Sequence, residues 1–210
     1  MKKISLLLVM LISMYGSLIA QSEKYAGAMS NTLIKMKDAK DANEFENTAA
    51  AFERIADAEK NQWLPYYYAA LTKARMSIQK MGDQDKLADE AQALIDKAKS
   101  IETNSEILCV ESMIATDKML VDPQSRWMQY GQASMQFLEE AKKADSTNPR
   151  PYALQAISLR NTPEAFGGGC DAAKPIAKKA LELFATFKPA SELHPSWGKE
   201  LAQSIIDSCK

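Results

Sequence analysis

His194, set between Leu193 and Pro195, is the one imidazole in the sequence. A transition-metal site wants three or four His, Cys or carboxylate ligands at fixed spacing, and a nucleophile wants a base beside it. Neither a second His nor a Cys pair at ligand spacing accompanies His194. The sequence therefore predicts no metal site and no cofactor, and it makes His194 a capping or solvent-facing loop residue. Paired acids can do general acid–base work, but Glu139–Glu140 and Asp89–Glu90 are chain neighbours that diverge by about 100° on a helix. They read as solvated faces. Gly167–Gly168–Gly169 stands just before a helical stretch, where a phosphate cradle would sit. A P-loop requires GxxxxGK[ST], whereas Gly169 is followed by Cys-Asp-Ala-Ala-Lys174. The run is read as a connection that needs positive φ and close approach, with an anion site at the helix start as the other option.

Aromatic and guanidinium groups make the better case for contact with a partner. Tyr66, Tyr67 and Tyr68 are consecutive, and on a helix three successive positions sweep about 200°, more than one buried face can absorb. Arg75 follows two turns later, and Tyr130 occupies a related place further on. Tyr and Arg dominate interface energies, so these five residues are the expected partner contacts. The competing reading is that the rings are core aromatics.

The elements that must position them are helical. No Gly or Pro falls between Ala28 and Leu64 or between Asp83 and Asp122, and the clusters lie at Pro149/Pro151, Gly167 to Gly169 and Pro189/Pro195. Long stretches between such punctuation read as helices, and no strict apolar–polar alternation supports a strand. Nine helices are expected, at about 23–38, 43–60, 63–81, 85–101, 105–121, 123–144, 150–161, 171–187 and 196–209. Tyr25, Met29, Leu33 and Met36 share one face, as do Trp197, Leu201, Ile205 and Cys209. Asp122–Pro123 has the form of an N-cap followed by Pro at N1.

These helices repeat. A large apolar residue followed four positions later by Ala recurs as Phe52/Ala56, Leu94/Ala98, Phe137/Ala141 and Ile176/Ala180. A second pair follows each of the first three: Tyr66/Ala70, Leu108/Ser112 and Tyr152/Ala156, with Trp197/Leu201 in the fourth slot after a longer connection. A bulky side chain beside a small one lets neighbouring helices approach closely, so the unit is a helical hairpin.

On these pairs, and on Ala133-x3-Phe137 and Ala172-x3-Ile176, the chain resembles the tetratricopeptide repeat (TPR) family. The likeness covers about residues 43–209. The spacing of the pairs exceeds the family's 34-residue period, and the repeat's Pro after the second helix is absent at the expected offset. TPEAFGGG at 162–169, FKP at 187–189 and HPSWG at 194–198 resemble an exported bacterial branch of these proteins. The resemblance implies an all-α fold of about nine antiparallel helices stacked as hairpins in a right-handed solenoid, with first helices lining a concave surface.

Residues 1–20 read as a signal peptide: Lys2–Lys3, an apolar run, then Ala20. A transmembrane anchor fits less well, because Ser13, Tyr15, Gly16 and Ser17 interrupt the run. Cleavage is expected before Gln21, with Ala26–Gly27–Ala28 as a second candidate, leaving residues 21–210 as a single TPR-like domain with no later membrane span. The 26 basic and 27 acidic residues, less the two leader lysines, leave a slightly acidic chain and argue against nucleic acid. Export places three cysteines in an oxidising compartment. Cys170 begins one predicted helix and Cys209 ends the next, so antiparallel packing brings both thiols to one end. A Cys170–Cys209 disulfide is expected, and Cys109, among Ile107, Leu108 and Val110, is expected to be a buried free thiol. The function expected is that of a non-catalytic exported scaffold, periplasmic or secreted, binding a protein or peptide partner through its concave surface. The alternative is a periplasmic solenoid that encloses a small ligand for a transport system.

Overall fold

The computed structural model describes residues 23–209, so the predicted signal peptide lies outside the described residues. The regular structure in this range is helical: α1 (23–38), α2 (Ala42–Ala58), α3 (Trp63–Ile78), α4 (Gln84–Ile101), α5 (Ser105–Val121), the short α6 (Pro123–Arg126), α7 (Gln132–Ala144), α8 (Arg150–Asn161), α9 (Cys170–Thr186) and α10 (Lys199–Ser208). α6 runs into α7 through a π-helical turn at Trp127–Gly131, and a 3₁₀ turn at Glu164–Phe166 sits between α8 and α9. No helix among the described residues is long and apolar enough to cross a membrane.

Local chemistry sets the boundaries. Asp41, Asp83 and Asn104 each accept the backbone N–H three residues on, at 2.9, 3.0 and 3.0 Å, and so start α2, α4 and α5. Asp122 caps α6 with Pro123 at its first position. α3 ends at Ile78, short of the expected 81, because Lys80 turns left-handed (φ 57°) and the amides of Lys80 and Met81 bond back to the carbonyls of Ser77 and Met76. α10 starts at Lys199, later than the expected 196, because Gly198 at φ 108° breaks the chain direction just before it. The stretch expected as one helix over 123–144 is continuous but contains the π turn, where the Trp127 ring lies over Gly131 in space that a Cβ would fill.

From α2 onward the long helices pack on their chain neighbours, and α3, α5, α8 and α10 also touch in that order, forming one layer against which α2, α4, α7 and α9 pack. The close approach rests on the small residues that the repeat marked: Ala56, Ala70, Ala98, Ala141, Ala156 and Ala180 are all fully buried. Second-layer helices are amphipathic, whereas α3 is buried around nearly its whole circumference. Part of that cover comes from the far end of the chain. The connection 187–198 crosses α3, where Leu193 and Trp197 join its core cluster. Tyr68 Oη donates to the Leu193 carbonyl at 2.8 Å, and Trp197 Nε1 donates to Tyr67 Oη at 2.9 Å. Cys170 and Cys209 are disulfide-bonded, tying the start of α9 to the residue after α10, and Cys109 is a buried free thiol.

Candidate functional site

Where the α4–α5, α7–α8 and α9–α10 connections meet the start of α3, they enclose a cleft of about 610 Å³. This lies within the range of roughly 300–1,000 Å³ typical of small-molecule sites. Each wall is fixed locally. Asn104 caps α5. On the second wall, Asp145 accepts the Thr147 amide and hydroxyl at 2.8 and 2.6 Å, and Asn148 Oδ1 accepts the Arg150 amide at 3.0 Å, a pair of side-chain turns that shapes the residues before α8. The third wall is the connection itself, carrying Phe187, Lys188, His194 and Pro195, and Trp63 closes the side toward α3.

Below the cleft a charged network joins three elements. Arg150 is completely buried, and its guanidinium donates to Glu106 Oε1 at 2.7 Å, to Asn148 Oδ1 at 3.3 Å and to the Pro195 carbonyl. Its face lies over Phe187 and Trp197, 5.1 and 5.6 Å from the ring centroids. Glu106 Oε1 also accepts from Asn148 Nδ2 at 2.9 Å, while its second oxygen is buried without a partner. Burial pushes the Glu106 carboxyl up to about 7 despite the opposing pull of Arg150. His194 hydrogen-bonds through Nδ1 to Ser191 Oγ at 2.8 Å and meets Trp63 edge-on at 5.8 Å; its partial burial lowers its pKa and favours the neutral ring. The arrangement supplies aromatic and proline walls, with Lys188 and the carboxylates of Glu102 and Asp145 at the rim. It can hold a partly apolar ligand.

The five expected partner contacts are not gathered in this cleft. Tyr67 is fully buried and Tyr68 nearly so, both within the α3 core, so the expectation that they line an open surface is corrected. The reason is the connection 187–198, whose backbone and Trp197 take up their hydroxyls. Arg75 is half-buried, with its guanidinium 5.9 Å from the Trp197 ring. Tyr66 is half-buried beneath Lys97 of α4, and Tyr130, in the π turn, lies against Lys118 of α5. Sequence reasoning passed over Glu106, Asn148 and Arg150. An Asn-Pro-Arg-Pro run between two helices was the available signal, since it puts a strong donor where the backbone is held rigid.

No protein-family model matches the chain, and neither does any curated protein sequence. Among solved structures it is similar to the HusA haemophore from Porphyromonas gingivalis, with 36% sequence identity over 89% of this chain and 92% of that one, at a TM-score of 0.80.

Proposed function

Because the chain belongs to the family of the HusA haemophore, we propose that it is an exported, non-catalytic binding protein whose ligand is haem or a closely related porphyrin. The observation that carries this is the likeness over nine-tenths of both chains at 36% identity. The cleft supports it. A porphyrin is a broad aromatic plate with carboxylate arms. Trp63 and Phe187 can flank the plate, and the Lys188 ammonium can pair with an arm. Iron that arrives inside its own macrocycle needs no cluster of protein ligands, which suits a sequence with a single His. The Cys170–Cys209 disulfide fits an oxidising compartment outside the cytoplasm. In this reading the two-layer stack is a TPR-like array wound as a right-handed solenoid. Of the two functions read from the sequence, the enclosed small ligand is preferred to the peptide in an open groove.

Titrating the chain from Gln21 with haemin and following the Soret band tests the proposal. Saturable one-site binding is expected, weakened about tenfold or more by Trp63→Ala or Phe187→Ala. Absence of saturable binding rejects the ligand. Wild-type affinity in both variants rejects the cleft as its site.

A further inference from the structure

Phe166 is 81% exposed, more than any other large hydrophobic side chain among the described residues. The ring is mounted on a turn built to hold it. The amides of Phe166 and Gly168 both donate to the Pro163 carbonyl at 2.9 and 3.2 Å, the Gly167 amide to Glu164 O at 2.9 Å, and the Gly169 amide to Leu159 O at 2.9 Å. Gly167 and Gly169 take φ values of 81° and 87°, a region that side-chain-bearing residues rarely adopt. A Cβ on Gly168 would run into the Thr162 carbonyl, and one on Gly169 into the Glu164 side chain. The three glycines thus fold the backbone inward while Phe166 remains in water. At the foot of the turn, the next residue is Cys170, bonded to Cys209.

A turn whose backbone is already held loses little main-chain freedom on binding, and aromatic anchors in apolar pockets carry much of the energy of protein interfaces. We propose that Phe166 anchors a docking surface for a second, different protein, which receives the ring in an apolar pocket rimmed by basic side chains. The rim follows from charge. Around the turn and the disulfide Glu164, Asp171 and Asp207 are exposed, while Arg160 and Lys174 are half-buried. The same acids disfavour an anionic bilayer. They also disfavour a second copy of this chain, whose cleft carries Glu102, Glu106 and Asp145 against Lys188. α8 starts at the cleft and ends at Asn161, so its 12 residues set the turn about 18 Å away at the opposite end. Docking there leaves the cleft open.

The inference rests on the reading of the chain as exported, so the partner is sought in the envelope. Labelled chain from Gln21 is titrated onto envelope vesicles of the producing bacterium, onto the same vesicles shaved with protease, and onto protein-free liposomes of their extracted lipids. Expected is saturable binding to intact vesicles, weakened about tenfold or more by Phe166→Ala, partly kept by Phe166→Leu, reduced by salt and lost on shaving. Equal binding by Phe166→Ala, no saturable binding to intact vesicles, or equal binding to liposomes overturns the proposal. So does concentration-dependent dimerisation that Phe166→Ala abolishes. Phe166→Ala should melt and titrate with haemin as the wild type does. A wild-type chain that fails to bind haemin refutes the ligand reading alone, while the vesicle results bear on the docking surface alone.

Discussion

Arg150 shows how one side chain can hold three elements. It is fully buried, and it reaches Glu106 of α5, Asn148 of the preceding connection and the Pro195 carbonyl of the connection 187–198. Removing it leaves Glu106 buried beside no cation, and breaking a buried pair in this way costs about 3–5 kcal/mol. Arg150→Met should therefore lower stability by that order in urea unfolding, and Glu106→Gln in the same chain should recover part of the loss. A second expectation concerns protons. Burial raises Glu106 to about 7 and Asp117, whose carboxyl has one oxygen buried without a partner, to about 8. A carboxyl whose pKa is higher folded than unfolded contributes stability that is fully present below its unfolded pKa and is lost as pH rises through the folded value. The melting temperature should accordingly fall between about pH 4 and pH 8, the ordinary and the folded carboxyl values, and level off above. Asp117→Asn should flatten the upper part of that fall and stabilise the chain at pH 9 by on the order of 2–4 kcal/mol. A flat profile in the wild type, or the same fall in Asp117→Asn, contradicts the assignment.

The helices were largely legible in the sequence because their signals are local: Asp or Asn caps, glycine and proline at the ends, and a large–small pair on each face. Two element-scale features were not. The π turn at Trp127–Gly131 is a packing solution between a ring and a glycine four positions apart, which no helical pattern separates from an ordinary turn. The left-handed Lys80 ends α3 without the glycine that usually announces such a cap. The disulfide was legible because two helices of similar length, run antiparallel, bring Cys170 and Cys209 level. It closes a loop between residues 39 apart, for which the chain-entropy estimate is roughly 3–4 kcal/mol. Cys170→Ser with Cys209→Ser should lose about that much and fray α10 first, seen as faster hydrogen exchange at 199–208 than in α5. Thiol counting on the unreduced, denatured wild type should return one free thiol, Cys109; three would refute the bridge.

At the scale of the whole molecule, the connection 187–198 decides what the inner layer presents. It closes the cleft on one side and covers α3 on the other, with Trp197 between the Arg75 and Arg150 guanidiniums and bonded to Tyr67, 130 positions away in sequence. This explains why the sequence leaves the tyrosines open between core and contact. Helical spacing shows which faces Tyr67 and Tyr68 occupy, but nothing local shows that residues more than a hundred positions later lie over them. The cleft was hidden for the same reason, since its walls come from three connections separated by tens of residues. If the connection is a shared wall, loosening it should register on both sides. Trp197→Ala is expected to cost about 2–3 kcal/mol of folding stability, less than a fully buried ring because Trp197 is only partly buried, to raise the exposure of Tyr67 and Tyr68 in tyrosine-selective labelling, and to weaken haemin binding through the disordered wall at His194 and Pro195. Trp63→Ala should weaken haemin binding without raising the labelling of Tyr68, whose hydroxyl stays on Leu193. A Trp197→Ala chain that is destabilised and labelled yet binds haemin with wild-type affinity would show that the cleft keeps its shape without the inner half of the connection, and the idea of a shared wall would be wrong.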